Sequence, residues 1–194
     1  EMDLKKCLQE CLDTYQLQAE MEQKTLQVSL DIQDCWVMGD SVRILQLLNN
    51  LLSNAFKFTS KNDVISVSVT QAEDSGSQDS VKYRIVVSDT GMGMSKDFLP
   101  HLFEPYMREV RFGSKAVAGT GLGMSISRNL VEQMNGEIRV ESSLGQGSIF
   151  TVVLPFVPVR TAPKDAVHEE SSSDSGFSML QGMRILLAED NMVN

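Results

Sequence analysis

Three short polar stretches carry the residue types from which a small-molecule site can be built: Asn50-Leu-Leu-Ser-Asn54-Ala-Phe-Lys57, Asp89-Thr-Gly91-Met-Gly93 and Gly119-Thr-Gly121-Leu122-Gly123. Amide oxygens are hard, neutral ligands suited to Mg2+, which takes few protein oxygens and keeps phosphate and water around it. Lys57 adds a point charge one helical turn beyond Asn54. A carboxylate at a strand end, Asp89, can accept a hydrogen bond from the exocyclic amine of adenine, and the glycines after it let backbone approach a flat base. The third stretch runs directly into Met124-Ser-Ile-Ser, so its glycines open a helix whose unpaired N–H groups and positive end attract phosphate. Each stretch alone also reads as something plainer: a solvated helix face, an Asx turn or a flexible glycine loop. Together they describe a nucleotide site.

Two familiar nucleotide motifs fail on detail. No Gly-Lys-Ser/Thr is present, so the loop is not a P-loop. The glycine spacing is not G-x-G-x-x-G after a first strand with an acid about 20 residues on, which disfavours a dinucleotide fold.

The elements that must position these residues follow from hydrophobic period. Leu4, Cys7, Leu8, Cys11, Leu12, Tyr15 and Ala19 recur at helical spacing, predicting a helix from Asp3 to about Glu22. Leu26, Val28, Leu30 and Ile32 alternate as in a half-buried strand. Gly39-Asp40 supplies an N-cap for a helix reaching about Thr59. That helix buries Ile44, Leu45, Leu48, Leu51, Leu52 and Ala55, and carries Arg43, Gln46, Asn50, Asn54 and Lys57 on an exposed face. Asparagine is a poor helix former, so two of them four apart need a reason.

Val64–Val69 and Tyr83–Val87 read as strands joined by the polar loop 73–80. A helix with a break at Pro100 spans about Lys96–Phe103, and another runs from about Leu122 to Met134, ending at Asn135-Gly136. Glu137–Glu141 and Ser148–Pro155 form a hairpin around Gly145 and Gly147. After Phe156 the composition changes: residues 157–182 read as a flexible linker with a serine run, and Met183-Arg-Ile-Leu-Leu-Ala as a buried-type strand followed by Glu189-Asp190-Asn191. That strand is expected to begin a second domain.

Composition narrows the class. The 194 residues are 42% apolar and 22% charged, ordinary for a globular domain. A net charge of -9 argues against a nucleic-acid surface, and no apolar run approaches the length of a membrane helix. Nucleic acid and membrane are therefore not expected partners of this stretch. Cys7, Cys11 and Cys35 lack a C-x-x-C pair and no nearby His completes a metal site, so they are expected as buried reduced thiols in a cytoplasmic setting.

Four elements together resemble the N, G1, F and G2 boxes of bacterial-type sensor histidine kinases, in order and with suitable spacing: Leu51–Thr59, Asp89–Gly93, Leu102-Phe103-Glu104-Pro105-Tyr106 and Gly119–Gly123. Gly145-Gln-Gly147-Ser148 is similar to the family's closing G-x-G-S element. Residues 1–156 thus resemble the kinases' catalytic, ATP-binding domain, in the superfamily shared with gyrase and Hsp90. Arg184–Asn191 resembles the first strand and acidic pair of a receiver domain, which would make the parent a hybrid kinase.

The resemblance implies an α/β two-layer sandwich, with a mixed, mostly antiparallel sheet covered on one face by helices. It implies ATP and Mg2+ as cofactors. Asn54 would hold the metal, Asn50 would lie beside metal and phosphates, and Lys57 would contact phosphate. Phe58 would pack near sugar or base. Asp89 would bind the adenine amine within a wall shaped by Gly91 and Gly93, supported by Ser148 through a water. Gly119, Gly121, Leu122 and Gly123 would form the hinge of a mobile lid anchored by Phe103 and Pro105, with Arg108, Arg111 and Lys115 able to approach phosphate or remain solvated.

The related ATPases place a glutamate near the position of Asn50, and an amide cannot act as general base. The resemblance therefore implies a phosphate donor to a His on a dimerisation helix outside this chain, with that helical domain and the receiver as partners. Neither His101 nor His168 has the surroundings of a phosphoacceptor. A non-catalytic nucleotide-binding module and a gyrase/Hsp90-type ATPase are the rival readings.

Overall fold

Helix α1 (Leu4–Glu22) begins where the Asp3 carboxylate accepts the Lys6 N–H at 2.9 Å, and it ends at Gln23 in the left-handed region. Its buried residues Leu4, Leu8, Leu12 and Ala19 fall on the expected stripe. The computed structural model describes residues 1–33, 35–72, 80–109 and 120–159. The expected linker beyond residue 159, the receiver-like strand and His168 lie outside the described residues.

Helix α2 (Ser41–Phe58) is capped by Asp40, which accepts the Val42 and Arg43 N–H groups at 3.0 and 3.2 Å. It buries Leu47 and Phe56 in addition to the expected Ile44, Leu48, Leu51, Leu52 and Ala55, while Leu45 is only half-buried. The apolar stripe is broad because α2 packs against α1, against helix α3 (Gly123–Gln133) and against the sheet at once. Each buried leucine contributes about 1.5–3 kcal/mol by leaving water. The last turn of α2 is held by Lys24, whose side chain is 6% exposed. Its Nζ donates to the Phe56 carbonyl at 2.5 Å and pairs with Glu22 at 2.6 Å, a cation at the negative end of the helix.

The sheet contains β1 (Met2–Asp3), β2 (Thr25–Asp31), β3 (Trp36–Met38), β4 (Val64–Gln71), β5 (Val81–Asp89), β6 (Glu137–Ser143) and β7 (Gly147–Pro158). The order is β1-β3-β7-β5-β4-β2, with β6 also on β7; only β2 and β4 run parallel among these pairs. Ile65, Val67 and Val69 of β4, Tyr83, Ile85 and Val87 of β5, and Phe150, Val152, Leu154 and Phe156 of β7 alternate into the core beneath the helices. The expected mixed sandwich is therefore the observed one.

Three details differ. The two-residue β1 and three-residue β3 are too short to show a period, and they extend the sheet beside the end of β7. The segment expected as a helix over Lys96–Phe103 is reduced to a 3-10 turn, Leu99–His101, with Pro100 near its start. Proline removes a donor and clashes with the preceding turn, so a single tight turn survives. Strand β7 continues to Pro158, two residues past the boundary drawn at Phe156.

Among the described residues no helix is long and apolar enough to cross a membrane, and no three His, Cys, Asp or Glu side chains group as a metal site. The three cysteines are free and half-buried. Burial pushes the Cys7 and Cys11 thiols up from their ordinary value.

Candidate functional site

Asp89 closes β5 at the end of the sheet. Its Oδ1 accepts the Gly91 N–H at 2.8 Å, and the Ser148 backbone N–H also donates to the carboxylate. Burial still dominates and pushes the carboxyl up from its ordinary value; those two donors oppose the shift, and the charge of Asp63 adds to it. The result is a partly desolvated carboxylate held at two points. A Cβ on Gly91 would collide with the Phe58 carbonyl and stand 2.9 Å from Asp89 Oδ1, so only glycine lets this loop pass so close to the end of α2. The same contact carries a bond from Met92 N–H to the Phe58 carbonyl at 3.2 Å. Asp89 and Phe58, far apart in sequence, thus meet across one glycine.

The other side of this wall is the β6–β7 hairpin. Ser148 pairs with Asp89 on one edge of β7 and with Ser142 on the other. Ser142 Oγ lies 2.8 Å from the Gly147 carbonyl, 3.0 Å from Ser148 Oγ and 2.9 Å from the Met94 N–H. Gly145 N–H donates to the Met92 carbonyl at 2.9 Å. The stretch Met92-Gly93-Met94 is therefore strapped to the hairpin.

The polar residues of α2 face differently from expectation. Asn50 and Asn54 are half-buried, and Asn50 does not point to open solvent. Its Nδ2 donates to Ser127 Oγ at 3.3 Å and approaches the Gly123 carbonyl at 3.4 Å, because α3 lies alongside α2. Ser127 is fully buried and spends its own hydrogen on the Gly123 carbonyl at 2.9 Å, so it can only accept from Asn50. This turns the amide nitrogen of Asn50 toward α3 and leaves Oδ1 uncommitted among the described residues. Asn54, one turn on, makes no side-chain hydrogen bond among them. Lys57 is exposed, with Nζ 5.1 Å from the half-buried Phe58 ring. Partial desolvation of its ammonium first, then the nearby Arg108 charge, holds it below the usual lysine range.

At the start of α3, Gly121 has φ +75 and its carbonyl accepts the Tyr106 N–H at 3.0 Å. A Cβ there would sit 2.8 Å from the Tyr106 backbone carbon, so the F-like and G2-like segments touch through a residue that needs the left-handed region. Leu122 precedes the helix without a side-chain cap, and a Cβ on Gly123 would enter open space. Phe103 packs its ring under the Arg128 guanidinium at 5.7 Å. His101 is exposed, 2.8 Å from Glu104. Gly119, Arg111 and Lys115 lie outside the described residues.

The structure therefore brings Asp89, Gly91, Phe58 and Ser148 together as one wall, and Asn50 and Gly123 together as one seam. Ser127, Ser142 and Lys24 were missed by the sequence reading. Their roles depend on which helix packs on which and on strand register, and serine or lysine in such positions carries no local signal.

The family model described as "Histidine kinase-, DNA gyrase B-, and HSP90-like ATPase" matches residues 39–158. Hybrid signal transduction histidine kinase A of Dictyostelium discoideum is 38% identical over 133 residues, 66% of this chain and 6% of that protein. Sensor histidine kinase GacS of Pseudomonas protegens is 39% identical over 129 residues, 66% of this chain and 14% of that protein. The chain thus spans a small part of the length of these relatives. The mycobacterial sensor histidine kinase MprB structure superposes with a TM-score of 0.66 at 22% identity, covering 81% of this chain and 98% of that one, which shows the fold. Full-length ShkA in complex with AMPPNP superposes at 0.65 with 26% identity, covering 81% of this chain and 31% of that one. The chain belongs to the histidine kinase-, DNA gyrase B- and HSP90-like ATPase family, and within it resembles the sensor histidine kinases.

Proposed function

We propose that this chain binds Mg-ATP and presents its γ-phosphate to a histidine on a separate helical domain, as the ATP-binding part of a two-component sensor kinase. The observation that carries this reading is Asn50 in its seam. Its nitrogen is held by α3 and its oxygen is uncommitted among the described residues, one and two turns before Asn54 and Lys57 on the same helix. An amide in that place cannot activate water, so the site keeps ATP for an incoming nucleophile. Phosphoryl transfer asks the protein mainly for positioning and charge neutralisation.

In this reading Asp89 takes the adenine amine, with Gly91, Gly93, Phe58 and Ser148 around the base. Asn54 holds Mg2+, with Asn50 beside it. Lys57 contacts phosphate, relieving its repulsion with Arg108. Gly119, Gly121, Leu122 and Gly123 hinge the phosphate end. The catalytic domain, drawn from the sequence at residues 1–156, runs to the end of β7 at Pro158; a linker follows to residue 182, and 183–194 are the start of a receiver domain. The partners are the phosphoacceptor helical domain and that receiver, in the cytoplasm.

Calorimetry on the 194-residue chain tests the reading. ATP is expected to bind with Mg2+ and more weakly after chelation, and Asn54→Ala is expected to lose most of the Mg2+-dependent part, roughly tenfold for one lost ligand contact. Supplied in trans with a His-bearing dimerisation helix from a related kinase, the chain should transfer acid-labile phosphate to it. No ATP binding by the unaltered chain would reject the proposal. ATP binding without transfer to any such helix would favour a non-catalytic nucleotide module.

A further inference from the structure

Ser142 is the hub of the base-side wall although nothing in the motifs marks it. Its hydroxyl has one hydrogen and two lone pairs. The Gly147 carbonyl at 2.8 Å can only accept, and the Met94 N–H at 2.9 Å can only donate. One arrangement therefore satisfies all three contacts: Ser142 gives its hydrogen to Gly147, accepts from Met94, and accepts the hydrogen of Ser148 across 3.0 Å. Ser148 is buried, and the register places it between Ser142 and Asp89 in one row across three strands. With its only hydrogen committed to Ser142, Ser148 Oγ offers lone pairs alone.

We infer that Ser142 is a positioning residue for nucleobase selection: by fixing the direction of the Ser148 hydroxyl, it makes the wall formed by Ser148 and the Asp89 carboxylate accept hydrogen bonds and never donate them. This rests on the nucleotide-binding reading of the site. Such a wall matches a purine that carries a hydrogen-bond donor at the position of the exocyclic amine, directly or through a water, and disfavours one that presents a keto oxygen there. A site whose buried polar groups are left unpaired by the wrong analogue discriminates strongly. The ionised carboxylate supplies most of that discrimination. The serine pair supplies the part that a rotating hydroxyl would otherwise give away, since a free Ser148 could turn its hydrogen to any acceptor it met.

The test compares ATP with ITP, which replaces the exocyclic amine by a keto oxygen and moves the remaining donor to N1, on the full chain and on Ser142→Ala and Ser142→Thr. The unaltered chain should prefer ATP. Ser142→Ala releases the Ser148 hydrogen, so the preference should fall several-fold, up to about tenfold for one reoriented hydrogen bond, through a relative gain of ITP over ATP. Ser142→Thr keeps the hydroxyl and should keep the preference. A merely structural role for Ser142 would weaken both nucleotides equally, and that result, like an unchanged ratio, would overturn the inference. If Ser142→Ala does not fold, Ser142→Cys serves in its place: a thiol is a poor acceptor, so the ratio must again fall, and a ratio equal to that of the unaltered chain overturns the inference. Failure of the unaltered chain to bind ATP at all would instead overturn the underlying reading, and this inference with it.

Discussion

The end of the sheet and the seam between α2 and α3 both carry candidate site residues, but they are built differently. At the sheet, Asp89, Ser148 and Ser142 sit in register on adjacent strands, and backbone groups of Gly91, Ser148, Met94 and Gly147 reach the side chains. At the seam, Asn50 is held by one buried serine and one carbonyl at a long 3.4 Å, while Asn54 makes no side-chain hydrogen bond among the described residues and Lys57 is exposed. On the proposed reading, the difference corresponds to what each side would recognise. A base is neutral and is read by direction, which demands groups fixed beforehand. Phosphate and metal carry charge, which can draw mobile amides and an ammonium into place.

The sharpest way to break the comparison is Asp89→Asn. Replacing an ionised acceptor by an amide should weaken ATP binding about 10–100-fold, the scale of one lost charge-assisted hydrogen bond, read by calorimetry. Ser127→Ala acts on the other region. It removes the acceptor that turns Asn50, and should cost about 2–10-fold in Mg-ATP affinity with no change in the ATP-to-ITP ratio. A change in that ratio would show that the two regions are not independent.

The smallest effect is on stability. Burial raises the Asp89 carboxyl, so its contribution to folding is fully present below the ordinary carboxylate value and is lost as pH rises through the raised one. Asp89→Asn is neutral throughout. The variant should melt slightly above the unaltered chain near neutral pH, with the gain shrinking toward about pH 4, the ordinary carboxylate range. A lower melting temperature at neutral pH would mean that the two backbone donors outweigh burial.

Much of the fold was legible because long elements announce themselves. The stripe of α1, the Asp40 cap and most apolar positions of α2, and the strands β4, β5 and β7 all persist in the structure, whereas the alternation read in Leu26–Ile32 breaks at Val28, which is exposed. What was not legible depends on meetings between elements. Leu47 and Phe56 are core because α2 has neighbours on three sides, and β1 and β3 are pairings too short to pattern. Pro100 was read as a break inside a helix, yet only one turn forms around it. For the site, residue types and spacing marked Asn50, Asn54 and Asp89. They could not say that Asn50 faces a helix, that Ser127 turns it, or that Ser142 stands two strands from Asp89.

Strand β7 is paired with β5 from Ser148 to Phe156 and with β6 from Gly147 to Val153, so its N-terminal half is enclosed on both edges. Amides in such a strand exchange with solvent only through the highest-energy openings, whereas a helix seam can part by a local fluctuation. The wall around Asp89 and Ser148 is therefore anchored in a strand paired on both edges. On the proposed reading, a ligand would enter and leave through motions of α3 against α2, on a timescale separate from any unfolding of the sheet.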